Sequence, residues 1–396
     1  MKLKTLTTAM ILATVPMTGA FAAAMDRSGQ SIAAFLQPGN YFEAGISVLD
    51  PDVSGTTSTA LGSQATGDMA SDYYFPSAAL KLQVTDKFSF GLLYDQPFGA
   101  EAEYSAPNAG LNAFSFGGEG TSAEVHTENL TLVFGFQPNV NWNFYAGPVW
   151  QRAEGEVHLR GAAYSSFAQG YDANMSSDDA IGWAAGLAYQ IPDIALKASL
   201  TYRSEIEHEL KTTESAANPT VNGGLVALAT TDITKVTTPQ SVNLDLQSGI
   251  MADTVAFLNV RWVNWDGFSI TPPGYGALLT ATQPARLADT LVEYNKDQWT
   301  VTGGVGRKFS EKWAGNVSVG WDSGAGNPVT TLGPTEGYWN VGLGLQYSPA
   351  ANYFIAGGVK YFWLGDSKAL TPLTNDVGNF EDNNAIAYGL KMGYRF

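Results

Sequence analysis

The chain contains no cysteine. That absence excludes a disulfide framework, thiolate metal centres and cysteine nucleophiles. Charge is also scarce: Asp, Glu, Lys and Arg make up 15% of the 396 residues, against about 25% in soluble domains. Mean hydropathy is near zero, and no internal stretch approaches the about 20 apolar residues that a transmembrane helix needs. The histidines, His126, His158 and His208, lie far apart, in no Ser/His/acid or metal-ligand spacing. There is no glycine-rich phosphate loop, and turn chemistry explains Asp50-Pro51-Asp52 and Asp178-Asp179 more simply than a calcium ion does. A net charge of -16 argues against nucleic acid as a partner. The residues therefore predict neither an enzyme nor a metal or cofactor.

What is abundant is glycine (43 residues) and aromatic side chains (12%). Low charge without apolar runs fits a wall in which hydrophobicity is carried by every second residue. The last segment shows this most clearly. Ile386, Tyr388, Leu390, Met392, Tyr394 and Phe396 fall on one face at period two, and Ala385, Ala387, Gly389, Lys391, Gly393 and Arg395 fall on the other. One wholly apolar face and one small or charged face suit lipid outside and water inside. The terminal Phe396 has the position of an assembly signal for the barrel assembly machinery.

Residues 1–24 read as a secretory signal, with Lys2 and Lys4 as the basic start, Ala9 to Val15 as the apolar core and Ala20-Phe21-Ala22-Ala23-Ala24 as the cleavage region. Residues 25–40 have no clean period; Ile32, Ala33, Phe35 and Leu36 predict one helical turn before Pro38-Gly39 ends it. This stretch is expected to form a short N-terminal hatch inside a barrel of residues 41–396.

From Tyr41 onward, alternating segments recur in pairs joined by short turns, such as Thr85-Asp86-Lys87, Pro192-Asp193 and Ser310-Glu311-Lys312. About fourteen strands result, an all-β transmembrane antiparallel barrel with an even strand number and no open edge in lipid. Long connections at 50–70, 105–120, 160–179, 212–234, 271–290, 323–335 and 366–382 alternate with the short turns, which predicts an outer loop side and a periplasmic turn side. Trp142, Trp299, Trp313, Trp339 and Tyr353 sit near strand ends, where interfacial aromatic belts belong. The expected location is the outer membrane of a Gram-negative bacterium, as a monomer surrounded by outer-membrane lipid.

If the apolar residues face lipid, Lys197, Ser199, Thr201, Arg203, Glu205 and Glu207 line the lumen. Two features depart from a plain water-filled porin. Pro97-Phe98-Gly99 interrupts the segment Phe88 to Tyr104, and proline with a nearby glycine predicts a bulge or kink that opens the wall. The outer loops are also greasy: Ala162 to Phe167, Gly223 to Ala229 (with Leu225 and Leu228) and Gly274 to Leu279. Exposed apolar patches mark binding surfaces, although loops packing on one another is an equal alternative.

Leu49-Asp50-Pro51-Asp52-Val53-Ser54-Gly55-Thr56, Leu200-Thr201-Tyr202-Arg203-Ser204-Glu205 and Trp313 to Asp322, in this order, resemble the FadL family of outer-membrane transporters for long-chain fatty acids and other hydrophobic compounds. The resemblance implies a fourteen-stranded barrel with an N-terminal hatch and a kinked third strand that opens the wall, where Pro97-Phe98-Gly99 stands here. Family members usually carry a longer hatch containing Asn-Pro-Ala, which this chain lacks. The implied activity is passive uptake of a hydrophobic small molecule, a fatty acid or an aromatic hydrocarbon. Outer loops 160–179 and 212–234, with Phe167, Leu225 and Leu228, would catch it. Phe35 and Leu36 would meet its hydrocarbon, Lys197 or Arg203 would meet a carboxylate, and it would leave sideways at Pro97–Gly99. The alternatives are a general porin for polar solutes and a structural or adhesion barrel acting through its loops.

Overall fold

The computed structural model describes residues 24–164, 170–221, 224–282, 285 and 287–396, of which 217–229 and 281–282 are described by backbone alone. Fourteen antiparallel strands close into a barrel. They are β1 (Tyr41–Asp52), β2 (Tyr73–Gln83), β3 (Phe88–Asp95, resumed as Gly99–Glu103), β4 (Ser122–Phe136) and β5 (Trp142–Leu159). Next come β6 (Tyr171–Ile191), β7 (Leu196–Arg203, resumed as Ile206–Val221), β8 (Gly224–Thr238, resumed as Ser241–Met251) and β9 (Thr254–Val263). The circuit ends with β10 (Gln298–Lys308), β11 (Trp313–Asp322), β12 (Tyr338–Ala350), β13 (Tyr353–Leu364) and β14 (Asn384–Arg395). Tyr41 in β1 pairs with Arg395 of β14 on one side and Lys81 of β2 on the other, which closes the ring.

The period-two pattern sets the faces. In β14, Ile386, Tyr388, Leu390 and Met392 are exposed, whereas Ala385, Ala387 and Lys391 are buried toward the lumen. In lipid such an outward apolar row is a solvent match, and every ladder bond is met by a neighbouring strand. Trp142, Trp313 and Tyr353 are exposed at the short-turn end, and Trp299 and Trp339 are exposed toward the loop end. These are the two aromatic belts that the sequence predicts.

Three strands are broken, β3 at 96–98, β7 at 204–205 and β8 at 239–240. Each break at Pro97 or Pro239 falls where a ladder donor is missing. The break in β7 corrects the lumen assignment. Ser199, Thr201 and Arg203 are buried, but the two residues outside the ladder shift the face by one, so Ile206, His208 and Leu210 turn inward and Glu205 and Glu207 are exposed.

Three predicted loops, 160–179, 212–234 and 271–290, are also corrected. Most of 212–234 continues β7 and β8 as a hairpin, from Ile206↔Thr238 to Val221↔Gly224, and β6 already begins at Tyr171. The stretch 271–290 contains the helix α1 (Pro273–Thr282), whose Tyr275, Leu278 and Leu279 are buried. With Tyr104, Phe114, Tyr164, Trp265, Tyr294, Leu332 and Phe380 they form a hydrophobic core above the barrel. Among the described residues the greasy loops therefore pack on one another, because burial against neighbours removes apolar surface from water at about 25 cal/mol per Å².

Candidate functional site

Residues 25–40 pack against lumen-facing side chains of the wall. Phe35 and Leu36 close one turn on the carbonyl of Ile32 at 3.0 and 3.3 Å, as the sequence predicts. The Phe35 ring meets Tyr145 edge-on at 5.7 Å. Lysines of the wall hold the turn's carbonyls: Lys197 Nζ donates to Leu36 O at 2.7 Å and Lys81 Nζ to Gln37 O at 2.5 Å. The upper end is fixed by charge. Arg261 of β9 donates from Nε and Nη2 to the Asp26 carboxylate at 2.7 and 3.0 Å. Its remaining donors reach Gln30, Ser241 and Asn243. Both partners are buried, so each charge depends on the other and on these bonds.

The same segment meets the break in β3. Ladder pairing between β2 and β3 runs from Gln83↔Ser89 to Ala78↔Tyr94, and the two strands meet again only at an isolated bridge, Ala70↔Ala102. Residues 71–77 and 95–101 leave a window in the wall. Residues 73–77 stay paired with β1 and 99–103 with β4, so each rim is held by its own side. On the β4 side, Asp95↔Asn129 is followed by Gly99↔His126, which makes 96–98 a one-residue bulge. Such an extra residue puts the backbone out of phase with its neighbour.

The window's backbone finds its partners inside the barrel. Gly99 N donates to Met25 O at 2.9 Å, Arg27 N to Pro97 O at 2.6 Å, and Asp26 bridges Phe98. The N-terminal segment thus stands in for the missing strand. Arg27 lies over the Tyr73 ring at 3.9 Å, and burial lowers its pKa against the opposing pull of Tyr73, Glu101 and Glu124. A side chain at Gly99 would place Cβ 2.6 Å from Arg27 Nη1 and 2.8 Å from Val125 O, so the close approach needs glycine. Tyr73 spans the opening: its hydroxyl donates to Glu101 O at 2.5 Å and accepts from Glu101 N at 2.6 Å.

Across the whole chain, residues 21–396 match the model of the outer membrane protein transport protein family (OMPP1/FadL/TodX). The chain belongs to this family. A comparison with curated proteins found no match. Among solved structures, the chain is similar to a FadL homologue of Pseudomonas aeruginosa, with TM-score 0.71, 17% identity and 92% of each chain covered. It is also similar to the Pseudomonas putida toluene transporter TodX, with TM-score 0.65, 15% identity and coverage of 92% of this chain and 91% of that one. The Ralstonia pickettii toluene transporter TbuX gives TM-score 0.61 at 13% identity, covering 96% and 98%. At these identities the likeness is one of fold.

In this FadL/TodX family member three cavities follow the N-terminal segment. The largest, about 260 Å³, lies on the lumen side of the segment, bordered by Leu36, Lys197, Asp245, Lys360 and Lys391. A second, about 70 Å³, sits at the window between Phe75, Pro76, Leu93, Asp95 and Arg203. The third, about 30 Å³, is walled chiefly by Met25, Phe98, Met175, Leu210, Trp265 and Phe268, with Thr127, Glu154 and Thr238 among its borders.

The structure places Pro97 and Phe98 in the break of β3, with Gly99 at its edge, and sets Phe98 against the apolar cavity. Arg203 borders the window cavity with a buried Nη1 that has no protein hydrogen-bond partner. Lys197 and Leu36 border the large cavity, but Phe35 borders none of the three. Its ring is buried against Tyr145 and packs the segment on the wall. Phe167 and the side chains of Leu225 and Leu228 lie outside the described residues. Sequence reasoning missed Asp26, Tyr73, Arg261 and Trp265. Arg261 had a signal: it is an inward position between the outward Val260 and Trp262 of β9, a charge with no neighbour in sequence to pair with.

Proposed function

We propose that the protein is an outer-membrane channel that takes up small hydrophobic compounds passively and releases them sideways through the β2–β3 window. The observation that carries this reading is the position of Phe98, which lines the apolar cavity and lies in the break of β3 at the window. Lateral release keeps an apolar molecule out of water, where exposure costs about 0.8 kcal/mol per CH₂. The N-terminal segment is the hatch, and its withdrawal from Pro97–Gly99 frees the opening. The lining of Met25, Phe98, Met175, Trp265 and Phe268, in which Glu154 is the one charged residue, favours an aromatic hydrocarbon, the cargo named for TodX and TbuX. A second reading, a long-chain fatty acid, is favoured by one observation, the unpartnered guanidinium nitrogen of Arg203 beside the exit.

The test is uptake of labelled toluene and labelled oleate by cells that lack their own transporter and carry this protein or Arg203→Gln. Uptake of toluene alone, indifferent to Arg203→Gln, supports the aromatic reading. Uptake of oleate that falls at least fivefold in Arg203→Gln supports the carboxylate reading. No uptake of either, with steady ion conductance in planar bilayers, contradicts both and supports a porin.

A further inference from the structure

The wall has a second window. Between β6 and β7 the ladder holds from Ile191↔Leu196 to Ala184↔Arg203 and from Met175↔Thr212 to Tyr171↔Ala216. Residues 176–183 and 204–211 form no ladder pairs with each other. The register is the same on both sides, since 184 with 203 and 175 with 212 give one sum, so no residues have been gained or lost between the strands. The pairing fails because the two strands flip faces at opposite ends of the stretch. β6 has its bulge at its upper end, between Met175 and Asp178, whereas β7 breaks at the lower end, at Ser204–Glu205. Between these points exposed residues of one strand stand opposite buried residues of the other: Ile181 is 75% exposed and its register partner Ile206 is buried. Strands half a pleat out of phase cannot exchange ladder bonds.

Side chains close this window. Asp178 reaches across to accept from Glu209 N at 3.3 Å and to meet His208 Nδ1 at 3.1 Å. His208, fully buried, holds Gln151 Oε1 at 2.9 Å through Nε2. At the lower edge the backbones still meet, Ser204 N donating to Trp183 O at 2.9 Å, and the Ser204 hydroxyl accepts from Trp183 N at 3.0 Å. Ile206 fills the middle; a Cβ on Gly182 would come within 2.6 Å of it. Behind these groups a cavity bordered by Trp183, Ser204 and Ile206 reaches Phe98, and Met175 and Leu210 wall the apolar cavity.

The surroundings place the window at the outer boundary of the membrane. The Trp183 and Tyr202 rings, 5.0 Å apart, lie at its lower edge. Exposed ion pairs, Arg152 with Asp179 at 2.8 Å and Lys235 with Glu209 at 2.8 Å, lie beside and above it. Aromatic belts mark the interface and charges mark the headgroup layer. The axial route from above is occupied by the packed core of the described loops, so a compound dissolved in the outer leaflet has a shorter path through the wall.

We propose that the β6–β7 window is a lateral inlet. Through it a small apolar molecule passes from the headgroup boundary into the cavity beneath Phe98, and the Asp178–His208 contact is its latch. The proposal rests on the uptake reading above.

Because the chain has no cysteine, a pair Asp178→Cys with His208→Cys gives a lock that reductant opens. Where the thiols stand too far apart for a disulfide, a short bis-methanethiosulfonate bridge serves the same end. Two measurements are made, each on the locked and the reduced barrel. In cells, toluene uptake is expected to fall at least fivefold on locking and to recover with reductant. In liposomes, a barrel with Leu210→Cys, added to the pair, masked by a photocleavable group while the lock forms and then unmasked by light, is labelled by an apolar maleimide, and only the label at position 210 is counted, by peptide mass spectrometry. Its labelling rate is expected to fall at least tenfold on locking. Equal labelling of locked and reduced protein overturns the inlet whether or not cells take up toluene. Absence of uptake by the wild type, with labelling still controlled by the lock, overturns the uptake reading alone and supports the window.

Discussion

The two windows arise from one kind of backbone defect and are closed in different ways. At β2–β3 a bulge at 96–98 unpairs the wall, and a separate piece of chain, Met25 to Ser28, supplies the missing hydrogen bonds. At β6–β7 two offset bulges unpair the wall, and the strands' own side chains fill it. A closure made by a segment opens when the segment moves as a unit, whereas a closure made by side chains opens by rotamer changes. The first is therefore tied to whatever holds the N-terminal segment, and the second is local. Unsatisfied backbone near lipid costs several kcal/mol per group, so neither window persists without its stopper.

The largest effect that separates them is expected at Arg261. Arg261→Ala strands the buried Asp26 carboxylate, a loss of about 3–5 kcal/mol. A cysteine at Ser28 should then be labelled at least tenfold faster by an aqueous maleimide, while labelling at Leu210→Cys stays unchanged. Equal acceleration at both positions would mean that the windows share one closure. Next is Tyr73→Phe, which removes the hydroxyl that both donates to and accepts from Glu101, a loss of about 1–3 kcal/mol. Faster labelling of Gln96→Cys from the lipid side is the expected readout. Asp178→Ala should loosen the other window by about 1 kcal/mol, seen as faster labelling of Leu210→Cys, with Asp178→Asn closer to wild type because it keeps an acceptor for Glu209 N. The smallest change is Ile206→Val, about 0.5–1.5 kcal/mol, which should widen the β6–β7 window slightly without altering Gln96→Cys labelling.

Much of the wall was legible in the sequence because lipid and lumen impose period two on each strand. β14 reads directly from Ile386 to Phe396, and the short turn at Thr85-Asp86-Lys87 and the long loop 50–70 each fell on the expected side. Pro97 announced the first window, since proline leaves a ladder position without a donor. The second window has no such marker. Ser204–Glu205 interrupts nothing in composition, and a one-residue change of face is visible only once Ile206 and His208 are seen inside and Glu205 and Glu207 outside. The apolar loops could not be assigned from sequence either, because Tyr275 and Leu279 read the same whether they face water or each other. The Asp26–Arg261 pair joins residues at the two ends of a long sequence interval, and only the closed barrel brings them into contact.

The central claim, lateral release at β2–β3, is tested most directly by locking that window. Pro76→Cys with Gln96→Cys places thiols on opposite rims of the cavity between the strands, in a chain with no other cysteine. Toluene and oleate uptake are measured in cells with the pair oxidised and then reduced. The account predicts at least a tenfold loss of whichever cargo the wild type takes up, restored by reductant, with the barrel intact on heat-modifiability gels. Undiminished uptake through the oxidised barrel would show that cargo leaves by another route and would contradict it.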